Sequence, residues 1–344
     1  MEMRKKFDEI FEDCTKLGTK IKTDGYHSNG KHPIIDQGQE MVAGFTDLED
    51  GLLDAVPAIV FGDHTRIIKY VDCPFFLGAD GVKVLRSKVP NANYRYLYYA
   101  LKNAKIPNTG YNRHYKWLKE LEIEYPPIDQ QVKTVKVLDK VESIIYNRQN
   151  QLQKLDELVK ARFVEMFGDP VTNPMDWPTK PLLEMGYCKN GMNFHTGDSG
   201  IEMHCLGVGD FKDYSVIDGT DYLPTISLNE APPEESMLQD GDLVFVRSNG
   251  NKALVGRCLL VYPHNTPTTY SGFCIRYRLT SAEVNIAYLL RVLKTDSMRK
   301  KMAGRGANIQ NLNQQILAAL NIPTPPLELQ EWFTAFIEQI DKSK

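Results

Sequence analysis

The residue types that most often carry catalysis are present in this chain, but their spacing gives them no chemistry to do. The six cysteines, Cys14, Cys73, Cys188, Cys205, Cys258 and Cys274, form no Cys-x-x-Cys pair and have no histidine at metal-ligand spacing. They read as reduced thiols, and no metal site is expected. Gly207-x-Gly209 and Gly304-x-Gly306 lack the third glycine and the strand-to-helix setting of a cofactor loop. No Gly-x-x-x-x-Gly-Lys-Ser/Thr occurs, so ATP hydrolysis is not expected. Asp72-Cys73-Pro74-Phe75 is the nearest approach to the Asn/Asp-Pro-Pro-aromatic element of adenine methyltransferases, and it lacks the first proline. The carboxylates near His64 and Asp242 show no spacing that singles out a metal pair. The expectation is a chain that is not an enzyme and binds no cofactor of its own.

Positive charge, by contrast, is concentrated. The net charge is −3, which argues against an indiscriminate polyanion binder. Yet Tyr94 to Lys119 contains no acid while Arg95, Lys102, Lys105, Arg113, Lys116 and Lys119 supply six positive charges. From Ser297 to Leu327 there is again no acid, and Arg299, Lys300, Lys301 and Arg305 supply four. A solvated helix end and loop is one reading of each window. The other is a phosphate-facing surface in each half, with neutral or acidic surface elsewhere limiting non-specific adhesion.

The elements that must position these loops come in two copies. Leu118, Leu121, Ile123, Pro126, Pro127, Ile128, Asp129 and Gln131 are matched 199 positions later (118 to 317) by Leu317, Leu320, Ile322, Pro325, Pro326, Leu327, Glu328 and Gln330. Leu138, Val141 and Glu142 continue the match as Ile337, Ile340 and Asp341. A period this long is no solenoid; it is duplication of a domain with its connecting helix. Each half has the order strands, helix, basic loop, short strand, Pro-Pro. In the first, Ala58 to Phe61 and Val82 to Leu85 read as strands and Tyr94, Leu97, Tyr98 and Leu101 as a helix. In the second, Leu243 to Val246 and Phe273 to Leu279 read as strands and Ile286, Leu289, Leu290 and Leu293 as a helix. The fold class is α+β, with two similar domains over 1–127 and 170–326.

Between them, 128–169 reads as a helical spacer, opened by two prolines and stopped by Gly168-Asp169-Pro170. Its helix of roughly 39 residues should be about 58 Å long. Leu138, Ile145, Leu152, Val159 and Met166 fall seven apart, while the companion column, Val141, Arg148, Leu155 and Arg162, is mixed. Such a seam needs a partner that covers the apolar column and leaves the arginine stems partly wet. The second helix, 327–344, with Trp332, Phe333, Phe336, Ile337 and Ile340 on one face, should pack against it as an antiparallel coiled coil. It covers less than half of the spacer, so apolar surface remains for another subunit or a second copy of the chain. The expected partner-binding residues are Leu138, Ile145, Leu152, Val159, Trp332 and Phe336. With no membrane-length apolar run and no signal-peptide pattern at the start, the chain is expected in the cytoplasm, away from membranes.

Several segments together resemble the specificity subunit of type I restriction-modification systems. They are Gly30-Lys31-His32-Pro33-Ile34-Ile35-Asp36-Gln37-Gly38 running to Gly44, Val60 to Arg66 followed by Pro74-Phe75-Phe76 and Gly78 to Gly81, and both Pro-Pro-to-Gln elements. Phe163 to Pro170 and Gly241-Asp242-Leu243 leading to Arg247 complete the set. The resemblance covers nearly the whole chain; the short second helix and the few residues ahead of the first domain depart from it. It implies two target-recognition domains, each reading one half of a split sequence in double-stranded DNA, on helices that carry modification subunits. Those subunits hold S-adenosylmethionine and methylate adenine, and a motor-nuclease subunit joins for cleavage.

Base reading calls for arginine against guanine and asparagine or glutamine against adenine. The second basic loop offers Arg305, Asn308 and Gln310, with Gly304 and Gly306 letting the backbone come close, and the first offers Asn112, Arg113 and His114. Lys31, the run His64, Thr65 and Arg66, and Arg247, Asn249 and Lys252 are further candidates for DNA contact. The reading from another class is a scaffold in which duplicated domains bind proteins or peptides through their basic loops. Salt and sequence dependence of DNA binding separates the two.

Overall fold

The computed structural model describes residues 4–78, 80–195, 197–211, 215–303 and 311–344. It divides into two compact units, Met1–Gln149 and Asn150–Lys344.

The first unit opens with β1 (Arg4–Lys6), α1 (Phe7–Ile10) and β2 (Phe11–Asp13). It continues with β3 (His32–Ile35), β4 (Gly44–Thr46), β5 (Ala58–Gly62), β6 (Ile68–Val71), β7 (Phe76–Leu77) and β8 (Val82–Ser87). Then come α2 (Tyr94–Lys102), α3 (Tyr115–Lys119), β9 (Glu122–Glu124) and the start of α4 (Ile128–Phe167). The sheets are ordered β2-β8-β5-β6, β4-β3-β7 and β1-β9. Strand β5 is buried throughout, as an uninterrupted apolar run predicts. Its Ile59 and Phe61 face α2 beside Leu97 and Leu101, whereas Ala58 and Val60 face the smaller sheet beside Ile35 and Leu77.

The second unit repeats this plan. Its strands are β10 (Thr179–Pro181), β11 (Gly186–Asn190), β12 (Ile201–Leu206), β13 (Val216–Asp218), β14 (Thr225–Leu228), β15 (Asp242–Val246), β16 (Cys258–Tyr262), β17 (Thr268–Tyr270) and β18 (Cys274–Leu279). After them come α5 (Ile286–Lys294), α6 (Asp296–Ala303), α7 (Gln314–Ala318), β19 (Asn321–Pro323) and α8 (Leu327–Asp341). The sheets are ordered β11-β18-β15-β16-β13, β14-β12-β17 and β10-β19. Strand for strand this is the first unit with β13 and α6 added. The parallel pair β12/β17 repeats the parallel pair β3/β7.

The duplicated sequence elements perform the same structural task in each unit. Leu118 and Leu317 are both fully buried. The N–H of Phe7 donates to the Leu121 carbonyl (3.0 Å), and that of Leu182 to the Leu320 carbonyl (2.8 Å). Tyr96 donates its hydroxyl to the Glu124 carbonyl (2.9 Å) and Tyr288 to that of Pro323 (3.0 Å). The glutamine after each Pro-Pro step is buried and donates to the first proline's carbonyl: Gln131 to Pro126 (2.8 Å), Gln330 to Pro325 (2.7 Å). The helix's first backbone bonds go to the second proline's carbonyl in each case, so this side chain satisfies the carbonyl just ahead of the helical ladder.

Helix α4 is one continuous helix of 40 residues, or about 60 Å. It is not a separate layer: Val135 and Leu138 pack on the first unit's core, while Val159, Phe163 and Phe167 belong to the second's. The compact units therefore divide within the helix, where the sequence reading set 128–169 apart. Helix α8 packs antiparallel to the end of α4, since Trp332 meets Arg162 and Lys344 meets Asp156. Phe333 lies 5.6 Å from Phe163 and 5.4 Å from Phe167, ring centre to ring centre. The Arg162 guanidinium lies 4.7 Å from the Trp332 ring, so one of the two arginines of the mixed column is accommodated as an aromatic contact.

Candidate nucleic-acid interface

In the first unit, four loops that are far apart in sequence are joined by hydrogen bonds. Gln37, following β3, accepts from the His64 N–H (3.2 Å) and donates to the Asp80 carbonyl (3.0 Å), and its own carbonyl accepts from Thr65 (2.7 Å). The Asp63 N–H donates to the Gly81 carbonyl (2.7 Å). Gly81 has φ +90°, and a Cβ there would lie 2.7 Å from the Gln37 amide and 2.8 Å from His64 Cδ2, so a side chain would push the loops apart. Asp63 then receives the end of the basic loop. Its carbonyl accepts the His114 N–H (2.7 Å) and its carboxylate accepts the Tyr115 N–H (2.7 Å) at the start of α3.

This network brings His64, Thr65, Arg66, Asn112 and Arg113 to one surface. His64 stacks on Tyr111, with ring centres 4.8 Å apart and planes at 10°. Arg66, at φ +64°, reaches the Ile106 carbonyl (3.3 Å), and Asn112 bonds to the Thr109 carbonyl within its loop. Arg113 is exposed. His114 is a correction: it is fully buried, with its ring on the Asp63 carbonyl (3.0 Å) and beside the Thr109 hydroxyl (3.3 Å). A side chain closed off from solvent cannot meet a base edge, so His114 fixes the loop instead. Lys31 pairs with Glu49 (2.7 Å) on the surface.

The acid-free stretch of sequence is not an acid-free surface. Asp139 and Glu142 of α4 bind two of its cations, Arg95 to Asp139 (2.5 Å) and Lys102 to Glu142 (2.6 Å). Lys105 and Arg113 remain exposed on the loop side. The carboxyl of exposed Asp80 is held below its usual range by Lys20 at 3.0 Å, with the charge of Arg113 adding to the effect.

The second unit builds the same latch from different residues. The Arg247 N–H donates to the Phe273 carbonyl (2.8 Å), and its carbonyl accepts the Leu312 N–H (2.8 Å), as Asp63 does with Gly81 and His114. The second basic loop thus ends where the first does. Arg247 reaches the Gly272 carbonyl (3.4 Å), and the Asn249 side chain accepts the Asn251 N–H (2.8 Å), while Lys252 is exposed. Arg305, Asn308 and Gln310 lie outside the described residues. Arg299 is structural, donating to the Ala253 carbonyl (3.0 Å).

Of the expected partner-binding residues, Val159 is buried and Phe336 is packed on the second core, so their cover comes from α8 and the globular domain. Leu138 packs on the first core and Leu152 is half-buried. Ile145 and Trp332 stay exposed, and Val137, Val141 and Ile144 extend the open face of α4 around Ile145. Sequence reasoning gave no role to Gln37 or Tyr111. Gln37 lies inside a recognised motif, but its bonds are to loops 27 and 43 positions away.

Among the described residues no group of three or more His, Cys, Asp and Glu is placed to hold a metal, and no helix is long and apolar enough to cross a membrane. Two α+β domains of one topology, each with the same backbone latch after its central strand, define a class of duplicated-domain proteins. The profile of the type I restriction modification DNA specificity domain matches residues 3–157 and 229–344, and the chain belongs to that family. The specificity subunit of the type I restriction enzyme StySPI from Salmonella potsdam is 28% identical over 157 residues, 44% of this chain and 33% of that one. That of EcoR124I/EcoR124II from Escherichia coli is 31% identical over 94 residues, 26% of this chain and 23% of that one. The matches thus span a third or less of these curated relatives. The type I restriction-modification S subunit from M. genitalium has the same fold, with a TM-score of 0.57 at 16% identity over 99% of this chain and 89% of that one.

Proposed function

We propose that this chain is the non-catalytic, sequence-reading subunit of a type I restriction-modification complex in the cytoplasm. Each unit reads one half of a bipartite site in double-stranded DNA. The open face of α4 around Ile145 in the first unit and the exposed Trp332 in the second are each a docking point for the modification subunits, which hold S-adenosylmethionine, and a motor-nuclease subunit joins them for cleavage. One observation carries the reading: both units end a basic loop on an equivalent backbone carbonyl, Asp63 in one and Arg247 in the other. Recurrence of the latch with different side chains is what a pair of readers for two different half-sites requires. The backbone frame is common to both, and the side chains it presents differ.

The test is binding of the chain, assembled with its modification subunits, to a randomised duplex library across a range of salt. Affinity should fall steeply as salt rises, and Arg113→Ala should lower the slope of log affinity against log salt by about one. Equal affinity for every duplex sequence would rule the reading out, and absence of salt-dependent DNA binding altogether would favour a protein-binding scaffold.

A further inference from the structure

The outermost feature of the first loop cluster is an aromatic ring. Tyr111 is 88% exposed, and one of its faces is already occupied by the His64 ring at 4.8 Å and 10°. His64 is itself held from behind: its N–H is bound by Gln37, and Gly81 lets the ring sit close to the loop that follows β7. Its Nδ1 is buried without a hydrogen-bond partner among the described residues. An imidazole with an unpartnered, desolvated nitrogen serves here as a flat support. The base of the Tyr111 loop is fixed by His114 on Asp63, so little freedom remains to be lost when a ligand meets the ring. Two exposed cations, Lys105 and Arg113, lie on the same loop and suit a phosphate backbone beside the ring.

We infer that the His64–Tyr111 pair is a stacking platform that receives a nucleobase of the first half-site, displaced from its duplex stack, on the open face of Tyr111. Every base has a π-face, so the ring supplies affinity, and the displaced position is fixed by the loop that carries it. This rests on the DNA-reading function proposed above and adds to it a residue and a mode of contact. The hydroxyl is not required: Tyr111→Phe keeps the plane, and Tyr111→Ala removes it.

The experiment uses the full chain with its modification subunits and the bipartite duplex enriched from the random library, with 2-aminopurine placed in turn at each position of both half-sites. Wild type and Tyr111→Phe should brighten the probe at one position of the first half-site. Tyr111→Ala should return it to the quenched duplex level and weaken binding by roughly tenfold to a hundredfold. A probe that stays dark at every position with wild type, or Tyr111→Ala binding within twofold of wild type, overturns the platform while leaving the bipartite preference intact. Loss of that preference in the wild type itself would instead overturn the DNA-reading function, and the platform with it.

Discussion

Cys188, Cys205, Cys258 and Cys274 illustrate how burial decides chemistry at the scale of single residues. Burial pushes the first two thiols and Cys274 up to about 12, and Cys258 up to about 11. Since the thiolate is the nucleophile, these groups are inert at neutral pH. Cys14 is also buried and raised, which leaves Cys73 as the one exposed thiol. Titration of the native protein with a chromogenic disulfide should show one fast thiol per chain, and Cys73→Ser should abolish it. Any fast thiol remaining in that variant would contradict the packing. The sequence already showed the cysteines to be scattered and without ligand spacing. It could not rank their reactivity, because burial depends on which strands pair. His114 is the reverse case. Its place in a basic, asparagine-containing loop suggests contact with DNA, and only the hydrogen bond to Asp63, 51 positions away, reveals a buried pin.

At the scale of elements, the junction of each domain with its helix concentrates buried polar contacts. Gln330 donates to the Pro325 (2.7 Å) and Glu283 (3.2 Å) carbonyls and accepts from the Asn285 N–H (2.9 Å). Gln131 bonds Pro126 in the same way, but its Oε1 has no partner among the described residues. Gln330→Ala should therefore cost about 2–3 kcal/mol and Gln131→Ala about 1 kcal/mol, because stranded buried acceptors and donors set the loss. Urea unfolding of both variants measures this, and equal losses would contradict it. Across α2 and α4, burial by itself would raise the Asp139 and Glu142 carboxyls. Hydrogen bonds from Tyr99 to both, from Arg95 to Asp139 and from Lys102 to Glu142 outweigh it and hold both below the usual carboxylate range. Their contribution is complete above the unfolded-chain values near 4 and disappears as pH falls through the lower folded values. Because the groups are partly solvated, Asp139→Asn with Glu142→Gln should lower stability at pH 7 by only about 1 kcal/mol. The difference from wild type should vanish on going well below pH 4. A gap that persists unchanged at low pH would show that the ion pairs are not its source. These junctions were half legible: the Pro-Pro-to-Gln spacing repeats visibly, whereas Asp139 and Glu142 look like solvated helix acids until α2 packs on them.

For the whole molecule, duplication is the organising fact, and it was the feature most open to sequence reading. The 199-position register of Leu118 with Leu317 and Gln131 with Gln330 corresponds to matching structural roles, not to similar composition alone. The division of α4 was not legible in the same way. Its heptad column Leu138, Ile145, Leu152 and Val159 reads as one continuous seam, yet two globular cores bury its ends and leave Ile145 in the open. A periodic pattern records where apolar residues fall; it does not record which neighbour covers them. The central claim is that the two units read DNA independently. Its most direct measurement is selection from a randomised duplex library by wild type and by Arg113→Ala, each assembled with the modification subunits. Wild type should yield two separate blocks of specified bases, and Arg113→Ala should blur one block while leaving the other unchanged. A single contiguous block, or equal loss from both blocks in the variant, would contradict the account.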